Sequence, residues 1–120
     1  MKTILVVEDE VRLSQLYEIA LKESGYNVIV ANDGTTALNH LSSSTPDLMM
    51  LDIGLPDISG LEILKEIREK SATLPTVVMC TADKGFKENH KNYTSKISAY
   101  FEKPVGLGEL RKKIKELLGE

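Results

Sequence analysis

A doubly wound α/β domain is predicted for this chain, because five short apolar runs alternate with segments of helical spacing and because acids, glycines and prolines mark the junctions. Residues 2–8, Lys-Thr-Ile-Leu-Val-Val-Glu, are continuously apolar in the middle and end in acids, the pattern of a strand buried on both faces of a parallel sheet. In residues 11–24 the positions Leu13, Leu16, Tyr17 and Ala20 recur at helical spacing, and Gly25 supplies a left-handed stop. Residues 26–31 read as a second strand. After the Asn32-Asp33-Gly34 turn, Ala37, Leu38 and Leu41 mark one face of a second helix, which ends in residues 42–46. The third strand covers residues 47–52 and leads into a loop containing Gly54, Pro56, Asp57 and Gly60. Leu61, Leu64, Ile67 and Arg68 then follow helical spacing, and Pro75 introduces a fourth strand, Thr76–Thr81. Residues 82–98 offer only Phe86, His90 and Tyr93 as a buried face for a fourth helix. Residues 97–102 form a fifth strand, and Leu107, Leu110, Ile114 and Leu117 give the last helix its apolar stripe. Short connections between parallel strands require right-handed crossovers, so the helices cover both faces of the sheet.

The bulk properties fit one domain spanning residues 1–120. A chain of 120 residues holds one ordinary core, and 42% hydrophobic with 28% charged residues is a globular composition. The longest apolar runs fall far short of the roughly 20 residues needed to cross a bilayer, and Glu8, Asp9 and Glu10 interrupt any signal-peptide core. A cytoplasmic chain without membrane contact is expected. The single Cys80 lies in an apolar run, which makes it a buried strand residue and excludes an internal disulfide. Residues 1–83 carry 6 Lys or Arg against 13 Asp or Glu, whereas residues 84–120 carry 9 against 5. The basic C-terminal part is either a solvated face or a partner-binding patch.

In an open α/β sheet, ligands bind beyond the carboxyl ends of the strands. Those ends carry Glu8 and Asp9 after strand one, Asp52 after strand three, Thr81 after strand four and Lys103 after strand five. Carboxylates converging at one rim repel each other unless a cation is present, and carboxylate with carbonyl donors suits Mg²⁺ rather than zinc. Lys103 provides a point charge for phosphate, and the Thr81 hydroxyl provides a hydrogen-bond donor. Asp52 is then the natural acceptor in a phosphoryl transfer, with the metal and Lys103 offsetting charge on the moving group.

These residues resemble the receiver domains of two-component response regulators over essentially the whole chain. Ile4-Leu5-Val6-Val7-Glu8-Asp9-Glu10 resembles the acidic pocket of that family, and Asp52-Ile53-Gly54-Leu55-Pro56-Asp57-Ile58-Ser59-Gly60 its phosphoacceptor loop; Thr81-Ala82 and Lys103-Pro104 complete the set. The resemblance implies a flavodoxin-like sheet in the order 2-1-3-4-5 with five helices. It implies that Asp52 is the phosphoacceptor, that Asp9, Asp52 and the Gly54 backbone carbonyl ligate Mg²⁺, and that Glu8 acts through water. It further implies that Lys103 binds the phosphoryl group, that Thr81 and Tyr100 form the switch, and that the Lys103–Pro104 bond is cis. The implied partners are a histidine kinase or histidine phosphotransfer protein as donor and a downstream effector protein or domain, with no direct nucleic-acid contact. The implied role is a switch rather than an enzyme, limited to self-directed phosphotransfer and autodephosphorylation.

The resemblance also implies that side chains at the positions of Gly54 and Asp83 flank the route of the attacking water, and Gly54 replaces the larger side chain usual in the family. Lys96-Ile97 replaces the usual Gly-Ala pair before strand five. The expected output face comprises the fourth helix, strand five and the last helix, with Lys87, Lys91, Arg111, Lys112 and Lys115 steering an acidic partner. Two rivals are weaker. A Mg²⁺ phosphohydrolase with an aspartyl-phosphate needs a second acid two residues after Asp52, where Gly54 stands, and a flavodoxin-like electron carrier needs a Ser, Thr and Gly-rich loop where Glu8-Asp9-Glu10 stands. His40 and His90 read as solvated, and Tyr17 as core.

Overall fold

The computed structural model describes residues 1–82, 85 and 91–119. Five parallel strands, β1 (Thr3–Val7), β2 (Asn27–Ala31), β3 (Leu48–Leu51), β4 (Thr76–Thr81) and β5 (Ala99–Glu102), form one sheet in the order β2-β1-β3-β4-β5. Helices α1 (Val11–Glu23), α2 (Gly34–Ser43), α3 (Gly60–Lys70), α4 (Lys91–Thr94) and α5 (Leu107–Leu118) connect or follow the strands. The doubly wound fold and its strand order therefore agree with expectation.

Alternation along the central strands divides the apolar side chains between two cores. Ile4, Val6, Leu48, Met50, Val78 and Cys80 face α1 and α5, where they meet Tyr17, Leu21, Leu110, Ile114 and Leu118. Leu5, Val7, Met49, Leu51, Val77 and Met79 face α2 and α3, where they meet Ala37, Ile63, Leu64 and Ile67. Burial of each such aliphatic side chain contributes about 1.5–3 kcal/mol, which makes these two layers the main support of the rim above them. The thiol of Cys80 is pushed up to about 12 by burial, as expected of a core cysteine rather than a nucleophile.

The helices start and stop where local chemistry allows. Asp33 caps α2 by accepting from the Thr36 amide at 2.7 Å, and Ser59 caps α3 by accepting from Leu61 at 3.2 Å. Gly25, at φ 95°, takes the left-handed turn after α1 that a side chain would strain.

One helical expectation is corrected, and another lies partly outside the described residues. The inner face of α1 is Ser14, Tyr17, Ala20 and Leu21, whereas Leu16 is 47% exposed. The helix is rotated because the Ser14 hydroxyl turns inward, accepting from Asn32 Nδ2 at 3.0 Å and donating to the Val11 carbonyl at 2.8 Å. The described part of the fourth helix is the single turn Lys91–Thr94. Tyr93 and Ile97 pack against the α2 and α3 core, and the Arg68 guanidinium donates from Nε to the Lys96 carbonyl at 3.0 Å. Phe86, His90, Lys87 and Asp83 lie outside the described residues.

Candidate functional site

The parallel sheet delivers four strands' carboxyl ends to one rim. Register aligns Val7 with Leu51, so the residues that follow, Glu8 and Asp52, leave adjacent strands side by side. Backbone bonds fix both: Glu8 donates from its amide to the Ala31 carbonyl at 3.1 Å, and Asp52 donates to the Val7 carbonyl at 3.1 Å. Lys103 is fixed likewise, with its amide donating to the Thr81 carbonyl at 2.8 Å. The Lys103–Pro104 bond is cis, as the resemblance implied.

Glu8 is 2% exposed and Asp52 6%, while Asp9 lies open to solvent. One carboxylate oxygen from each of the three falls within 4.8 Å of the others. Hard oxygen donors at this spacing fit a divalent cation of the Mg²⁺ type, which keeps part of its water shell and needs few protein ligands. The Lys103 ammonium bridges the two buried acids, donating to Glu8 Oε1 at 2.5 Å and to Asp52 Oδ2 at 3.0 Å. Burial raises the Glu8 carboxyl above its ordinary value, against the lowering effect of its bonds to Lys103 and the Glu10 amide. Burial alone would push Lys103 down, but its bonds to Glu8 and Asp52 outweigh this and hold its pKa above the ordinary lysine value.

Asp52 has its second oxygen occupied too, since the Gly54 amide donates to Oδ1 at 3.1 Å. Among the described residues, a Cβ at the Gly54 position meets nothing within 4 Å. Thr81 ends β4, buried beside Lys103's backbone. Tyr100 is half-buried on β5 opposite Met79 and packed on the α2 and α3 core.

Three supporting residues escaped the sequence reading. Asn32 donates from Nδ2 to the Glu8 carbonyl at 2.7 Å and to Ser14, bracing the acidic turn after β1. Gly60 lies against the backbone of Asp52: a Cβ there would stand 2.1 Å from the Asp52 carbonyl oxygen. Asp57 accepts from the Gly34 amide at 2.8 Å, the Thr35 amide at 2.9 Å and the Thr35 hydroxyl at 2.6 Å, pinning the loop after β3 to the start of α2. These bonds, the Thr35 hydroxyl foremost, hold the Asp57 carboxyl well below the usual carboxylate range. An asparagine, an aspartate and a glycine in turns signal only loop geometry in a sequence; the partners of Asn32 and Asp57 lie 22 to 24 residues away and become visible only in the fold.

The model of the response regulator receiver domain matches residues 4–115 of this chain. The protein belongs to the response regulator receiver domain family. It is 38% identical over 115 residues to the transcriptional regulatory protein TrcR of Mycobacterium tuberculosis, covering 96% of this chain and 44% of that protein. It is 34% identical over 119 residues to the alkaline phosphatase synthesis transcriptional regulatory protein PhoP of Bacillus subtilis, covering 98% and 48%. The chain thus spans about half the length of these relatives. Among solved structures, the response regulator TrrA of Thermotoga maritima, in complex with Mg²⁺-BeF, superposes with a TM-score of 0.87 at 36% identity, covering 98% of this chain and 99% of that one. A CheY-like receiver domain from Methanospirillum hungatei gives a TM-score of 0.90 at 28% identity, covering 99% and 94%. No helix among the described residues is long and apolar enough to cross a membrane.

Proposed function

We propose that residues 1–120 act as one receiver domain whose Asp52 accepts a phosphoryl group from the phosphohistidine of a histidine kinase or phosphotransfer protein. The observation that carries this reading is the placement of the Asp52 carboxylate, almost withdrawn from water, between the Lys103 ammonium and the Gly54 amide, with Glu8 and Asp9 beside it. In the transfer a carboxylate oxygen of Asp52 forms the new P–O bond as the P–N bond to the donor imidazole breaks, the nitrogen keeping the electron pair. Asp9, Asp52 and the Gly54 carbonyl would hold Mg²⁺, with Glu8 acting through water, and the ion would offset charge on the phosphoryl oxygens. Lys103 pairs with the phosphoryl oxygens in place of one of its carboxylate partners, and the Thr81 hydroxyl donates to another. Tyr100 follows the β4 end, so the altered face is that of α4, β5 and α5.

Water attack on the same phosphorus returns Asp52 and releases inorganic phosphate. The reaction is self-directed and leaves no external substrate turned over. The proposed setting is the cytoplasm, and the output passes to an effector protein or domain rather than through direct nucleic-acid contact by this chain.

The test is intact-mass measurement after incubation with a small phosphodonor and Mg²⁺. One phosphoryl group is expected on the wild type and none on Asp52→Asn, while Asp9→Ala loses most Mg²⁺ binding by calorimetry. Phosphorylation that persists in Asp52→Asn, or an unchanged Mg²⁺ titration in Asp9→Ala, refutes the assignment. Repeated turnover of small phosphate esters would favour the phosphohydrolase instead.

A further inference from the structure

We infer that the seam between the end of α1 and α5 is a second anion site, which takes a small oligophosphate. A cavity of about 390 Å³ opens there, lined by Ser24, Tyr26, Arg111, Lys112 and Lys115. Arg111, Lys112 and Lys115 were expected on the output face with α4 and β5; instead they border this cavity, on the α1 side of α5.

The cations are placed by a rigid element. Leu110, Ile114 and Leu118 anchor α5 in the core, so the residues between them keep fixed directions. Arg111 and Lys115 are four apart and stack one turn above the other, with Lys112 beside them. Lys113 is paired with Glu116 at 3.2 Å, whereas among the described residues Arg111, Lys112 and Lys115 have no ion pair. Among the described residues no carboxylate lines the cavity. The Ser24 hydroxyl is committed to the Ala20 carbonyl at 3.1 Å, and Tyr26 is 5% exposed, so recognition falls to the three cations.

Charge magnitudes favour an anion with several charges. The end of α1 contributes about half a negative charge from its macrodipole, which three full positive charges outweigh. A monoanion would satisfy one cation and leave two; an oligophosphate presents a charge to each. The cavity volume lies in the small-ligand range of roughly 300–1,000 Å³. Confinement of the cations to little more than one turn argues against a nucleic-acid duplex, which demands an extended basic stripe. The site is also remote from the acceptor, since Tyr26 leads into β2 whereas Glu8 and Asp52 lie beyond the opposite ends of the strands.

Calorimetry on the whole chain in EDTA, with inorganic tripolyphosphate and with ATP as probes, tests this site. Binding that weakens with added salt is expected for tripolyphosphate, and the combined variant Arg111→Ala/Lys112→Ala/Lys115→Ala should raise its Kd by about tenfold or more. Lys113→Ala and Asp52→Asn should bind as the wild type does, which separates this site from the acceptor. Equal affinity for ATP identifies the phosphate chain alone as the ligand, and tighter ATP binding adds the nucleoside; either result supports the site. An unchanged Kd in the combined variant overturns it. So does an absence of oligophosphate binding by a wild type whose combined variant melts at lower temperature, which would assign the cations to the end of α1.

Discussion

The ammonium of Lys103 stands between two carboxylates that are almost wholly removed from water. Withdrawing two like charges together is costly, and the neighbouring cation offsets much of that cost through two charge-assisted bonds. Lys103→Ala should therefore lower stability by about 1–3 kcal/mol in EDTA, with part of the loss recovered in Mg²⁺. Thermal melts with and without the ion check this; equal melting temperatures for mutant and wild type in EDTA would contradict it. The mutant should still become phosphorylated, while the change that phosphorylation brings to the β4 and β5 side weakens. Two glycines of the acceptor loop separate structural from chemical roles. A methyl at Gly60 collides with the Asp52 carbonyl, so Gly60→Ala should destabilise by about 1–3 kcal/mol and slow phosphorylation. A side chain at Gly54 meets open space, so Gly54→Asn should change stability by no more than about 0.5 kcal/mol while altering the phosphoryl lifetime. Denaturant titrations and decay of the phosphorylated species distinguish the two.

Among the elements, the loop after β3 is held less by its own turns than by α2. Asp57 takes three bonds from Gly34 and Thr35, at the end of α2 where backbone amides lack intrahelical partners. Because its pKa is depressed in the folded protein, Asp57 contributes stability in full above about pH 4, and that contribution fades as the pH falls toward its lowered pKa. Asp57→Asn should flatten the acid limb of a stability against pH curve and leave its neutral limb nearly parallel to wild type; an unchanged acid limb would show the clamp to be energetically idle. The same elements show what the sequence could and could not reveal. Strand-end acids were legible because β1 and β3 are continuous apolar runs that stop abruptly at Glu8 and Asp52. The inner face of α1 was not, because a hydrogen-bonded Ser14 displaced Leu16 from it, and apolarity alone cannot register a bond to Asn32, 18 residues away. Nor could spacing along α5 say on which side of its buried stripe Arg111, Lys112 and Lys115 would lie.

For the whole molecule, the two-layer core decides how a local event at Asp52 can spread. Thr81 and Lys103 belong to neighbouring strand ends joined by a backbone bond, and Tyr100, three residues before Lys103, packs with Met79, Tyr93 and Ile97 on the α2 and α3 side. Residues of β4, β5 and α4 therefore form one contiguous packed route from the acceptor to the surface, whereas α1 and α5 press on the other core. On the proposed reading, new bonds from a phosphoryl group to Thr81 and Lys103 would bias that route locally, with the half-buried Tyr100 lying on it. The decisive measurement is amide hydrogen exchange on Mg²⁺-loaded protein, with and without a phosphoryl mimic, in wild type and Asp52→Asn. The mimic should change protection in peptides spanning residues 91–102 as well as in the loop after Asp52, and should do neither in Asp52→Asn. Changes confined to the loop after Asp52, or changes that persist in the mutant, would contradict the account.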